Sequence, residues 1–229
     1  TSRAAITFAL GALLTTAPAT AAAGQTTVLD EGSFRIAIRG SAIGTETFTI
    51  RRSGRGANVT TVAQGRIVLD TGEQTRTVVQ LRGTPLAASA YQVEVTGDNQ
   101  QSITGRAAGS RFRATMVSQA SERMREFLVD PGAIVVNDAI AHHHFFIAQR
   151  THDGTVPVIL PRDSRQVTAR VRDQGTETLE IAGQQVTARH LAVQIDGLDP
   201  RSLWVDGQNR VLRMHIPDQA LTAQRTSLP

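Results

Sequence analysis

Apolar and polar residues alternate with period two over most of the chain from Ser33 onward, the spacing of strands that bury one face. In FRIAIRG, Phe34, Ile36 and Ile38 alternate with Arg35, Ala37 and Arg39. In YQVEVTG, Tyr91, Val93 and Val95 stand against Gln92 and Glu94, and in RFRATMV, Phe112, Ala114 and Met116 stand against Arg111, Arg113 and Thr115. Turn signals separate such runs at 52–56, 70–73, 96–99, 108–110, 173–175 and 182–184. Strands joined by short turns with one polar face predict an antiparallel meander, because parallel strands need long crossovers and near-continuous apolar runs. The fold class expected is mainly β: one large curved antiparallel sheet or an open (half) barrel.

The alternation breaks once, in DPGAIVVNDAIAHHHFFIAQRTHDGTVPVILP. Asp130-Pro131-Gly132 reads as a turn, and Asn137 or Asp138 is placed to cap a helix from about 138 to 149. The connector, about 130–153, joins a first sheet half (about 33–129) to a second (about 154–225). Two domains and one continuous sheet both fit the pattern, and a single β-rich domain over 24–229 is the expectation.

The first residues change the picture of where the protein works. TSRAAITFALGALLTTAPATAAAG sets one basic residue, Arg3, before an apolar run from Ala4 to Leu14, then small residues ending at Ala21-Ala22-Ala23. That order predicts a signal peptide over 1–23, cleaved after Ala23 or else after Ala19, and a soluble periplasmic or secreted product. The apolar run is shorter than the roughly 20 residues a spanning helix needs, so no transmembrane segment is expected. The absence of cysteine excludes disulfides and thiolate chemistry. Every one of the 24 basic residues is arginine, interleaved with acids and not clustered. With aromatics at 4%, this disfavours nucleic acid as a partner.

Candidate chemistry centres on His142, His143 and His144. On a helix, successive side chains diverge by about 100°, so His142 and His144 cannot grip one ion, and no pair here has the i, i+4 spacing of a single-helix metal site. The segment then becomes a mostly apolar plug against the sheet, with no cofactor. On an extended chain, His142 and His144 share a side about 6.5–7 Å apart, suiting zinc or copper. Asp138, His152, Asp153 or His190 would then supply a third ligand. His190 also fits a sheet-face role, and His215 an exposed one.

No G-x-S-x-G elbow occurs, although spatial constellations of serine, base and acid leave little linear trace. GTETFTIRRSGRG lacks the lysine of a phosphate-binding loop, and Asp196, Asp199 and Asp206 lack the spacing of a calcium loop.

Three segments, GSFRIAIRGSAIGTETFTIRRSG, VVNDAIAHHHFFIAQ and LAVQIDGLDPRSLWVDGQNRVLRMHIPDQALTAQRT, resemble the opening hairpin, the central Asn-Asp-to-His segment and the C-terminal strands of uncharacterised bacterial exported families. Those families are similar to the lipoprotein-carrier-like open β-barrel. The resemblance implies one or two helices over a concave apolar face that takes acyl chains, with Phe145, Phe146, Ile147 and Trp204 lining it beside the three histidines. It further implies that Arg225 pairs with an acidic head group or with a carboxylate of the sheet.

Three functions stay open: a non-catalytic binding or carrier-like module for a lipid-like small molecule, a His-based metal protein or metal-dependent enzyme, and a structural or assembly module of the cell envelope. Protein partners are not indicated.

Overall fold

The computed structural model describes residues 26–229. The expected signal peptide over 1–23 lies outside the described residues. Eight strands follow one another as a meander: β1 (Thr27–Ile38), β2 (Ser41–Ser53), β3 (Thr60–Leu69), β4 (Gln74–Arg82), β5 (Ala87–Thr96), β6 (Gln101–Ala108), β7 (Arg111–Ser118) and β8 (Glu122–Leu128). After the connector come β9 (Ile134–Val135), β10 (Gly154–Leu160), β11 (Arg165–Ile181), β12 (Gln184–Ile195), β13 (Arg201–Val205), β14 (Val211–Ile216) and β15 (Leu221–Arg225).

All fifteen form one sheet in the order β8-β7-β6-β5-β4-β3-β2-β1-β15-β14-β13-β12-β11-β10-β9. Neighbours are antiparallel except the short β9, which runs parallel to β10. The two halves meet where β1 pairs with β15, from Phe34↔Arg225 to Ile38↔Leu221. They are therefore one continuous sheet. Its ends, β8 and β9, do not pair with each other, so the barrel is open. They are drawn inward by single ties: Ala88 N–H donates to the Ala133 carbonyl at 2.7 Å, and the Gln166 side chain exchanges two 2.6 Å hydrogen bonds with Asp130.

The inward side chains of both halves make one core that contains Phe34, Ile50, Leu81, Ile103, Phe112, Leu191 and Leu203. The alternation seen in the sequence sets this face. Two local expectations are corrected. Asp173-Gln174-Gly175 is not a turn between strands but a bulge inside the 17-residue β11, with Gly175 at φ 92°. A glycine at positive φ is what such a bulge requires, so the turn signal was real but local. The helix expected over about 138–149 shrinks to a 3₁₀ turn at Ala141–His144 followed by α1 (Phe145–Ala148). Asp138 does not cap it, because its carboxylate is drawn to Arg201 at 2.5 Å.

Arg225 locks the seam. Its side chain points inward beside Phe34, with its guanidinium carbon 5.3 Å from the Phe34 ring centre and 5.0 Å from that of Phe48. Nε donates to the Val211 carbonyl at 2.7 Å, and the two terminal nitrogens donate to the Glu31 carbonyl at 2.9 Å and to Asp30 Oδ2 at 2.5 Å. Of the two partners the sequence left open, the structure gives the sheet carboxylate. Burial lifts the Asp30 carboxyl above its ordinary range despite the adjacent guanidinium. Removing one member of a buried pair strands the other charge. Arg225→Met is expected to cost about 3–5 kcal/mol in urea unfolding, and adding Asp30→Asn to it is expected to recover part of that loss.

Candidate functional site

The interior of the barrel is occupied by the connector. His142, His143, His144, Phe145, Phe146 and Ile147 are all at most 4% exposed. What draws them in is Glu46 on β2, itself fully buried. Its Oε2 accepts the Ala141 N–H at 3.0 Å, and its Oε1 accepts the His142 N–H at 2.8 Å and His142 Nδ1–H at 2.7 Å. One carboxylate thereby satisfies the open end of the 3₁₀ turn, whose first amide groups have no partner of their own.

Each histidine then goes its own way, as a helical backbone dictates. The His142 ring stacks on Phe48, with centres 5.5 Å apart and planes 6° apart. It fits only because position 65 on β3 is glycine: a Cβ there would lie 2.3 Å from His142 Cε1. His143 Nδ1 accepts the Asn137 N–H at 3.1 Å, so Nε2 carries the proton and donates to Thr77 Oγ1 at 3.0 Å. His144 has the opposite tautomer: Nδ1–H donates to the Ile140 carbonyl at 3.1 Å, and Nε2 accepts from Arg201 at 3.3 Å. Arg201 is also buried, bonded to Asp138 and to the Asp199 carbonyl, while Gln219 donates to both Asp138 and Asp199 carboxylates.

The extended backbone that a zinc or copper pair at His142 and His144 requires is therefore not the one adopted. Among the described residues, no group of three His, Asp or Glu side chains is arranged to hold a metal ion. The helical segment is the plug that the sequence allowed, and its residues from Ala141 to Ala148 are buried against the sheet. Trp204 is not with it. It lies half-buried on the outer face of β13, in a separate cluster with Leu179, Ile181, Ala188 and Leu212, while its neighbours Leu203 and Val205 point into the main core.

Open space lies one turn away from the histidines, at the mouth of the barrel. A cavity of about 570 Å³ is walled by Ile36, Ile43, Ile67, Val93, Val95 and Ile140. Asn137, Arg162 and Glu73 also line it. Asn137 joins the cavity to the plug, since its amide donates to Tyr91 at 3.1 Å while its N–H holds His143. Burial pushes the Tyr91 hydroxyl up to about 12. Glu46, Thr77 and Arg201 escaped the sequence-based site. Their signal was present: each shares strand parity with apolar residues that face inward, Glu46 with Phe48 and Ile50, Thr77 with Val79 and Leu81, Arg201 with Leu203 and Val205.

No family model and no curated protein matches this chain. Among solved structures, it is similar to a beta-barrel-like protein of domain of unknown function DUF1849 from Brucella abortus. Sequence identity is 10%, the match covers 85% of this chain and 94% of that one, and the TM-score is 0.46.

Burial holds His143 neutral well below the ordinary histidine range, aided by the neighbouring His142 and His144. Burial, with Arg201 second, brings His144 down to about 3. Both rings take up protons near pH 6.5 once the chain unfolds, so the unfolded state binds more protons below that pH and stability falls as pH falls. Between pH 7.5 and 5.5 the unfolding free energy from urea titration is expected to drop, with a slope approaching ~1.4 kcal/mol per pH unit for each ring at the acid end. His143→Gln with His144→Gln is expected to flatten this dependence even as it lowers stability overall.

Proposed function

We propose that this domain binds an apolar or amphipathic, lipid-like molecule at the mouth of its barrel, as a carrier-like module in the periplasm or outside the cell. The observation that carries the reading is the cavity of about 570 Å³ with branched aliphatic walls. Its size falls within the roughly 300–1,000 Å³ of small-molecule sites, and such sites pair an apolar lining with a few polar groups. Asn137 and Arg162 stand where they can take a polar or anionic head, with the tail against Ile36, Ile67, Val93 and Val95. In this reading the His/Phe segment is the floor's support and not its surface. Only Asn137, Ala139 and Ile140 of that stretch reach the cavity.

The outer edge supports a second reading, as an assembly module of the envelope. Val117, Met124 and Leu128 on β7 and β8 are 42%, 61% and 67% exposed, beside a strand edge that pairs with no other strand of the sheet. Such an edge is a template for strand addition.

Calorimetric titration with fatty acids of increasing length tests the first reading. Each methylene that enters the cavity is expected to add ~0.8 kcal/mol, roughly fourfold in Kd, until the space is filled. Ile43→Glu is expected to weaken binding by at least about tenfold, because it sets a charge in the apolar wall, and Trp204→Phe is expected to leave it unchanged. Binding indifferent to Ile43→Glu and to chain length contradicts the assignment.

A further inference from the structure

A second constellation lies on the outer face of the sheet, remote from the plug. The bulge between Asp173 and Thr176 shifts the register of β11 against β12 and re-aims the distal half of that hairpin. Leu179, Ile181 and Ala188 of the hairpin bury themselves against Leu212 of β14, a small core that fixes the strand on which Glu177 stands. The Glu177 carboxylate is thereby held by two donors: Oε1 accepts from His190 Nδ1 at 2.7 Å and Oε2 from Trp204 Nε1 at 2.9 Å. The indole stacks on the imidazole, centres 4.6 Å and planes 13° apart. With its Nδ1–H donating to the carboxylate, His190 presents an Nε2 lone pair, and 2.9 Å from it lies the hydroxyl of Ser202.

We propose that Ser202, His190 and Glu177 form a nucleophile, base and positioning acid for acyl transfer from small carboxylic esters to water. The geometry meets the requirement that a nucleophile and its base lie within hydrogen-bond reach while a third group orients the base. Three adjacent strands supply the three groups, and Ser202 and His190 are partly open to solvent. The Ser202 hydroxyl attacks the ester carbonyl carbon as its proton passes to His190 Nε2. The carbon–oxygen bond to the alcohol then breaks, and the alcohol departs with that proton. Water, giving a proton to the same nitrogen, attacks the acyl-serine, the carboxylic acid leaves, and the proton returns to Ser202. The sum is ester plus water giving acid plus alcohol.

Arg213 supplies a cation on the same face, its guanidinium carbon 5.5 Å from the Trp204 ring centre. It pairs across the strands with Trp204, while Ser202 pairs with the next outward residue, His215, so Arg213 stands diagonal to Ser202 within the reach of a long side chain. Its Nε is held by Gln224 at 2.8 Å, and a fixed cation beside a developing negative charge is the electrostatic element that such a reaction needs. The backbone amides of β13 are committed to the ladder with β12 and β14. This restricts the site to activated, unhindered esters.

The test uses the full protein and a fluorophosphonate, whose phosphorus bonds to an activated serine as fluoride leaves. One adduct, located at Ser202 by peptide mass spectrometry, is expected, together with p-nitrophenyl acetate hydrolysis above buffer. Ser202→Ala is expected to abolish both. His190→Gln is expected to lower kcat by about 100-fold, and Glu177→Gln to lower kcat with KM unchanged, which a purely structural role would not do. No adduct at Ser202 in the unaltered protein, or turnover that survives Ser202→Ala, overturns the proposal. Neither outcome touches the cavity at the mouth.

Discussion

A single buried carboxylate organises the inside of this barrel. Glu46 stands on the apolar face of β2 with no exposure to solvent, and a charge in that position is tolerable only if hydrogen bonds replace its water. The connector supplies them with two backbone amides and one imidazole. The stretch that abandons period two within the described residues is thereby held inside the sheet. Once Ala141 and His142 are fixed, the helical backbone sends His143 to Thr77 on β4 and His144 to Arg201 on β13. The plug is thus tied to strands of both halves. Gly65 is the complementary allowance, a missing side chain that makes room for the His142 ring.

This packing decides where a ligand can go. A barrel with an empty concave face would offer its centre, but here the centre is filled by the chain's own Phe145, Phe146 and Ile147. A cavity lies where the plug begins, at Asn137–Ile140, and there the strand ends provide aliphatic walls. Arg225 has the matching role at the seam. It closes β15 onto β1 through Asp30 and lies against Phe34 and Phe48, the latter stacked in turn on His142. Seam, plug and site are therefore parts of one packed unit, and a disturbance at either buried charge should be felt at the mouth.

Much of this was legible in the sequence, and the remainder fails for identifiable reasons. Alternation in FRIAIRG, YQVEVTG and RFRATMV marked the inward residues of β1, β5 and β7, because period-two burial is local and repeats within each strand. The single break at the connector marked the one non-strand feature of the core. Joining the two halves was not legible, since the β1–β15 pairing spans nearly the whole described chain and no local pattern encodes it. The bulge in β11 imitated a turn, because the same Asp and Gly residues serve both. Trp204 was set in the cavity by the resemblance alone, whereas its strand parity places it outside. The polar residues at inward positions, Glu46, Thr77, Arg201 and Arg225, were the most informative signal, and periodicity read for apolar residues alone passes over them.

The most direct measurement of the central claim, that a hydrogen-bonded histidine plug fills the barrel, is nitrogen-15 NMR of the imidazole rings followed from pH 7.5 to 5.5. A filled barrel predicts a fixed Nε2–H tautomer for His143 and a fixed Nδ1–H tautomer for His144, both neutral across that range. Averaged tautomers, or either ring taking up a proton near pH 6.5 in the folded protein, would contradict it and place the segment in contact with solvent.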